Sequence, residues 1–258
     1  MWELNNYGNY GLGITSDGKT LVADLWDSSS QLWAVDATGN WKNAEQLTSG
    51  ISDGAHGLAT LADGKVVYST RTGEDFDLWI VSAENGKREG LPLTSDSFLE
   101  SDICVTQDNR FLVFASDRAG GQHLFRMEMD GSNITQLTSG SGIETSPDCS
   151  ADSKSVVYAS TKDSQTVIWK ISIDGTGPAK ITDFECVAPS FSPDDKSVAC
   201  IRPIDQVGRT ATITVFPAQG GQPSKSFDVV PFSWNYNAPR WTPDGKALIF
   251  AKTRQKAR

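Results

Sequence analysis

Asp108–Thr138, DNRFLVFASDRAGGQHLFRMEMDGSNITQLT, is one copy of a unit that the rest of the chain repeats. It reads as a turn, a strand over Phe111 to Ala115, a polar loop, a second strand over Gln122 to Met127, an Asp130-Gly131 turn and a short closing strand at Leu137-Thr138. The opening turn recurs as Asp17-Gly18-Lys19, Asp63-Gly64-Lys65, Asp108-Asn109-Arg110, Asp152-Ser153-Lys154, Asp194-Asp195-Lys196 and Asp244-Gly245-Lys246, at intervals of 46, 45, 44, 42 and 50 residues. Periods of that size mark repeat architectures, and here they give six repeats. The pair in the second strand recurs as Leu32-Trp33, Leu78-Trp79, Leu124-Phe125 and Ile168-Trp169, with Ile213-Thr214 weaker. The closing pair recurs as Leu47-Thr48, Leu93-Thr94, Leu137-Thr138 and Ile181-Thr182, so three markers keep one phase.

Before each Asp turn lies an ungapped block: Asn9 to Ser16, Ala55 to Ala62, Glu100 to Gln107, Glu144 to Ala151, Cys186 to Pro193 and Tyr236 to Pro243. Its fourth and sixth residues are mainly apolar, the period-2 alternation of a strand with one packed face. Gly at the turn centre supplies positive φ and makes a tight hairpin. Asn109 tolerates that geometry, whereas Ser153 and Asp195 are expected to mark turns that have drifted. Runs such as Val66-Val67-Tyr68, Leu112-Val113-Phe114 and Val156-Val157-Tyr158 then suit strands covered on both faces. Four antiparallel strands per repeat, in sequence order, are the blade of a β-propeller. Trp33, Trp79, Phe125 and Trp169 are expected to be equivalent core residues between blades.

Composition bounds the rest. With 258 residues, 38% hydrophobic and 21% charged, one period and no Pro/Ser-rich linker, the chain reads as a single domain over residues 1–258. No apolar run approaches the 18 or so residues of a transmembrane helix, and Met1-Trp2-Glu3-Leu4 lacks the basic and apolar regions of a signal peptide. A net charge of −9 argues against nucleic acid or an anionic membrane as partner. Cys104, Cys149, Cys186 and Cys200 lack C-x-x-C spacing and are expected to be buried free thiols.

No catalytic constellation emerges. Gly50-Ile51-Ser52-Asp53-Gly54 fits G-x-S-x-G but is followed by a strand, not the helix of a nucleophile elbow. With His56 and His123 the sole histidines, no metal or cofactor is expected. His123, beside the Leu-Phe pair, reads as structural, and Glu74-Asp75-Phe76-Asp77 as a solvated acidic loop.

Phe191-Ser192-Pro193-Asp194-Asp195-Lys196, Trp241-Thr242-Pro243-Asp244-Gly245-Lys246, the Phe-Ala-Ser-Asp-Arg of the third repeat and its Met-Asp-Gly then Leu-Thr resemble the WD40-like PD40 repeat of TolB-type propellers. The first, third and fourth repeats depart from Ser-Pro before the turn, with Thr15-Ser16, Thr106-Gln107 and Ser150-Ala151. The resemblance implies an all-β, six-bladed propeller with blades near residues 9–48, 55–94, 100–138, 144–182, 187–229 and 237–258 plus 1–4, the last completed by an N-terminal strand carrying Trp2. It implies a bacterial, non-enzymatic, monomeric scaffold or sensor that binds a protein or peptide, in a periplasmic or extracytoplasmic setting. The alternative is the gating propeller of a prolyl-oligopeptidase-like or tricorn-like peptidase whose catalytic domain lies elsewhere.

In a propeller the first strands line the central channel, so binding residues should sit where the aligned strand starts differ. That places candidates at Tyr10, His56, Glu100, Asp102, Glu144, Asp148, Asn237 and Arg240. Glu100, Asp102 and Glu144 are expected to form an acidic crescent at the mouth, suited to a basic peptide or an amine.

Overall fold

The structure is a computed structural model that describes residues 12–14, 21–23, 29–34, 44–61, 63–82, 90–162, 165–204, 211–229 and 238–250. All regular structure among them is β. Three pairs are short: β1 (Leu12–Ile14) with β2 (Leu21–Ala23), β3 (Trp33–Ala34) with β4 (Glu45–Gln46), and, at the other end of the chain, β21 (Arg240–Trp241) with β22 (Leu248–Ile249). Between them lie four four-stranded sheets. The first comprises β5 (Leu58–Thr60), β6 (Lys65–Thr72), β7 (Asp75–Ser82) and β8 (Leu91–Pro92), and the second β9 (Glu100–Val105), β10 (Phe111–Ser116), β11 (His123–Glu128) and β12 (Thr135–Gln136). The third comprises β13 (Ile143–Cys149), β14 (Ser155–Lys162), β15 (Gln165–Ser172) and β16 (Ala179–Lys180), and the fourth β17 (Val187–Phe191), β18 (Ser197–Pro203), β19 (Ala211–Pro217) and β20 (Lys225–Val229). Strands pair antiparallel in chain order within each sheet. Each first strand contacts the next, β5 with β9, β9 with β13, β13 with β17 and β17 with β21, so successive sheets radiate from one side.

The recurring Asp is explained by turn chemistry. Thr106, Ser150, Ser192 and Thr242 each donate a hydroxyl to the Asp two residues on. That carboxylate accepts the amide N–H of Arg110, Lys154, Lys196 or Lys246, closing the turn locally. Ser153 and Asp195 correct the expectation of drifted turns, since their φ of 62° and 58° match Asn109 at 56°. Their side chains tie neighbouring repeats together: Ser153 Oγ accepts from Asp108 N, and the Asp195 carboxylate from Ala151 N and Asp152 N. A residue less suited than Gly to positive φ is held there by these bonds to the preceding turn.

The core lies between sheets. Phe125 packs with Leu61, Val67 and Leu78 of the preceding sheet and with Phe114 of its own. Trp169 packs against the cluster that holds Leu124 and Leu137, and Trp79 against the cluster that holds Leu47, so each ring joins a core shared with the sheet before it. Trp33 departs from this pattern and is 57% exposed. The three packed rings each have a described sheet preceding them in the chain, whereas Trp33 lies in the first repeat; Met1 and Trp2 fall outside the described residues.

The cysteines are not free thiols. Cys104 of β9 is bonded to Cys149 of β13, and Cys186 to Cys200 of β18. Adjacent first strands, and the two strands of one hairpin, bring these pairs within reach although 45 and 14 residues separate them in sequence. Spacing alone gives no signal for a contact made by the ring rather than by a local motif.

Candidate functional site

The starts of the first strands do not follow simple alternation. Asp102, Ser146 and Ala188, each third in its aligned block, have φ of 49°, 52° and 52°. Pairing with the second strand shifts register at the same places, between Thr145 and Asp148 and between Val187 and Ser190. These are bulges, which re-aim side chains and increase twist. Left-handed non-glycine residues cost about 1–3 kcal/mol each and persist where the surroundings fix them.

The bulge separates the candidate residues into two groups. Glu100 and Glu144, ahead of it, point into the junctions between sheets and not into a common mouth. Glu100 is 0% exposed and lies 2.6 Å from Arg118, 3.0 Å from Thr94 and 3.4 Å from Ser116. Glu144 is 5% exposed and lies 2.6 Å from His123 Nδ1, 2.8 Å from Ser160 and 3.2 Å from Thr138. The expected acidic crescent is therefore absent, because two of its three members are junction residues. The Thr of each closing pair is their partner, at one six-residue spacing in both repeats, Thr94 to Glu100 and Thr138 to Glu144. That spacing was the available signal. His123 is structural as expected, and Asp77, read as a solvated loop residue, is buried against Thr72 and Thr94. Burial pushes Glu100 up to about 7, with Asp96 reinforcing the shift and Arg118 opposing it.

The second group forms two separate pairs along the first strands. Asp102 N donates to His56 O at 2.6 Å, and the His56 ring meets Phe76 edge-on with centroids 4.2 Å apart. Both residues are half-buried. Burial raises the Asp102 carboxyl, while the Ser146 N–H and the His56 charge pull it down. Further along the strands, Arg240 Nη1 lies 2.7 Å from Asp148 Oδ1, and Phe191 N donates to Asp148 Oδ2 at 2.7 Å. Asp148 so joins three successive repeats. Its carboxyl is also raised by burial, against the pull of Arg240 and the Phe191 N–H. Ser146, missed in the sequence, belongs to this group through Asp102. Tyr10 and Asn237 lie outside the described residues.

Chemically, the first strands offer an imidazole, a carboxyl whose pKa burial raises, and an ion pair. Ser69 Oγ accepts from the backbone N–H of His56 at 3.0 Å, and the hydrogen bond of an imidazole among the described residues is that of His123 Nδ1 with Glu144. Residues 50–54 form an isolated bridge and a turn leading into β5, with Ser52 paired to Ser30.

Comparisons with known proteins bear on the fold. Residues 103–258 match the family described as PD40, TolB beta propeller domain. Among solved structures, a putative TolB from Agrobacterium tumefaciens is similar at 19% identity and a TM-score of 0.71, covering 95% of this chain and 91% of that one. TolB from Acinetobacter baumannii is similar at 16% identity and a TM-score of 0.70, over 87% of this chain and 54% of that one. A puromycin hydrolase is similar at 14% identity and a TM-score of 0.57, over 83% of this chain and 35% of that one. No curated protein sequence matches.

Proposed function

This chain belongs to the TolB-type PD40 β-propeller family, and from that premise we propose that it is a six-bladed, non-catalytic propeller that binds a protein or peptide segment at its channel mouth. One observation carries the reading. His56 and Asp102, from adjacent repeats, meet at the start of the first strands and remain half-buried, one bonded to the other's backbone at 2.6 Å. They are polar groups at the one end of the channel where the repeats differ in chemistry, next to an aromatic wall at Phe76. A peptide can hydrogen-bond to such a rigid rim without ordering it first. The partner's class is a segment bearing an amine or cationic side chain, since Asp102 and the −9 chain favour positive charge.

The ring has six blades in this reading, the last shared between residues 237–258 and the strand at 1–4. Deleting residues 1–8 then exposes strand edges and lowers the melting temperature sharply; an unchanged transition contradicts closure. The alternative, the gate of a peptidase, rests on likeness of fold to the puromycin hydrolase and on a catalytic domain beyond these residues.

Selection of a displayed random-peptide library on the protein tests the binding reading. Peptides bound by the wild type and lost by His56→Ala and Asp102→Asn support it. Peptides held equally by all three proteins move the site away from the channel.

A further inference from the structure

Arg118 closes the junction between the β5–β8 and β9–β12 sheets. Its Nη2 lies 2.6 Å from Glu100 Oε1 and 3.2 Å from Asp96 Oδ2, and Nε donates to Ser116 Oγ at 3.0 Å. The guanidinium carbon stands 5.3 Å from the ring centroids of both Phe114 and Phe125. A buried carboxylate, a hydroxyl and two aromatic rings thus make a socket that the chain fills with its own cation. Such stacking plus charge-assisted bonding is what a planar guanidinium gains over an ammonium.

The next junction, between the β9–β12 and β13–β16 sheets, repeats the socket. Glu144 stands for Glu100, Ser160 for Ser116, Tyr158 for Phe114 and Trp169 for Phe125. The match extends to atoms. Glu100 Oε2 faces Thr94 while Oε1 faces Ser116 and Arg118; Glu144 Oε2 faces Thr138 and His123 while Oε1 faces Ser160. The plug, however, is not repeated by the backbone. β10 ends at Ser116, and Arg118 follows in the turn that folds back over the socket, whereas β14 runs straight on to Lys162 as one arm of a hairpin. Among the described residues the socket opens instead into a recess of about 320 Å³ lined by Ser139, Gly142, Glu144, Tyr158, Ser160 and Trp169. Trp169 Nε1 is buried there with no hydrogen-bond partner among the described residues. The junction ahead of Arg118 has the same form, with Tyr68, Thr70, Asp53 and a Trp79 Nε1 equally unpartnered among the described residues around a recess of about 560 Å³.

We propose that the recess at Glu144, Ser160, Tyr158 and Trp169 receives an arginine side chain from a partner protein, seated as Arg118 is in its own junction. The Arg118 socket identifies the occupant's chemistry, because a carboxylate, a hydroxyl and two aromatic rings at the four equivalent positions already hold a guanidinium in this molecule. An arginyl residue within a peptide also carries a main-chain carbonyl, the acceptor that the indole N–H lacks. The chain's net charge of −9 favours a basic partner. The site is distinct from the channel and does not depend on its role.

The test uses the full chain with ¹⁵N-labelled tryptophan and Nα-acetyl-L-arginine amide as probe, with the citrulline amide as its uncharged isostere. Trp169→Phe, which copies Phe125, assigns the Trp169 indole signal. Saturable movement of that signal with the arginine amide, at least tenfold tighter than with the citrulline amide, supports the proposal. An unmoved signal, or equal movement with both amides, overturns it. Arg118→Ala serves as the positive control, since the arginine amide should raise its melting temperature by refilling the emptied socket. Rescue of that variant together with a still Trp169 signal in the wild type overturns the proposal for this recess.

Discussion

Arg240 Nη1 lies 2.7 Å from Asp148 Oδ1, joining first strands that are two repeats and 92 residues apart. Between them Phe191 N donates to the other oxygen of the same carboxylate. Three repeats therefore meet on one side chain. Removing the cation leaves the half-buried Asp148 with the Phe191 N–H as its remaining donor among the described residues, so Arg240→Ala should cost about 1 kcal/mol, between an exposed ion pair and a charged hydrogen bond lost from a buried acceptor. Arg240→Lys should recover part of that. Urea unfolding measures both, and equal stability of Arg240→Ala and wild type shows the pair to be a surface contact only.

Glu100 sets a pH dependence. Its carboxyl is pushed up to about 7 in the folded protein, against about 4.3 in an unfolded chain. Between those values the folded state holds a proton that the unfolded state has released, so this group's contribution is full below about pH 4.3 and is lost as pH rises through about 7. Stability should fall across that window in the wild type, and the Glu100-dependent part should vanish in Glu100→Gln. A slope that survives the substitution assigns it to other groups.

The disulfides predict a redox effect. Cys104–Cys149 links adjacent first strands across 45 residues of chain, and losing such a crosslink costs roughly 2–5 kcal/mol in small domains. The Cys104→Ala/Cys149→Ala variant should melt well below the wild type, and peptide mapping without reductant should recover the two half-cystines in one fragment. Free thiols at all four positions in protein purified under oxidising conditions contradict the pairing.

Trp169 and Trp33 occupy one phase of the repeat and should respond differently. Trp169→Ala opens the junction core and should cost on the order of 3–5 kcal/mol. Trp33, at 57% exposure, should cost within about 0.5 kcal/mol. Comparable losses at both positions show that Trp33 is covered in solution.

Much of the architecture was legible because it repeats. The spacing of the Asp turns, the Trp pair and the closing Leu-Thr pair located β6, β7, β10, β11, β14 and β15 within a few residues. The site was less legible because facing is a tertiary property. A bulge at Asp102 and Ser146 breaks the alternation on which the first-strand reading relied, and so Glu100 and Glu144 turn into the junctions. The cysteine pairs escaped for a related reason: the distance from Cys104 to Cys149 is set by the packing of neighbouring sheets, which no local pattern encodes.

Hydrogen exchange of the protein with and without a selected peptide tests the channel reading most directly. Binding at the mouth should slow exchange in the segment around His56 and at the start of β9 near Asp102, where the first strands begin. Slowing confined to the outer strands β8, β12 and β16, with the starts of the first strands unchanged, contradicts it.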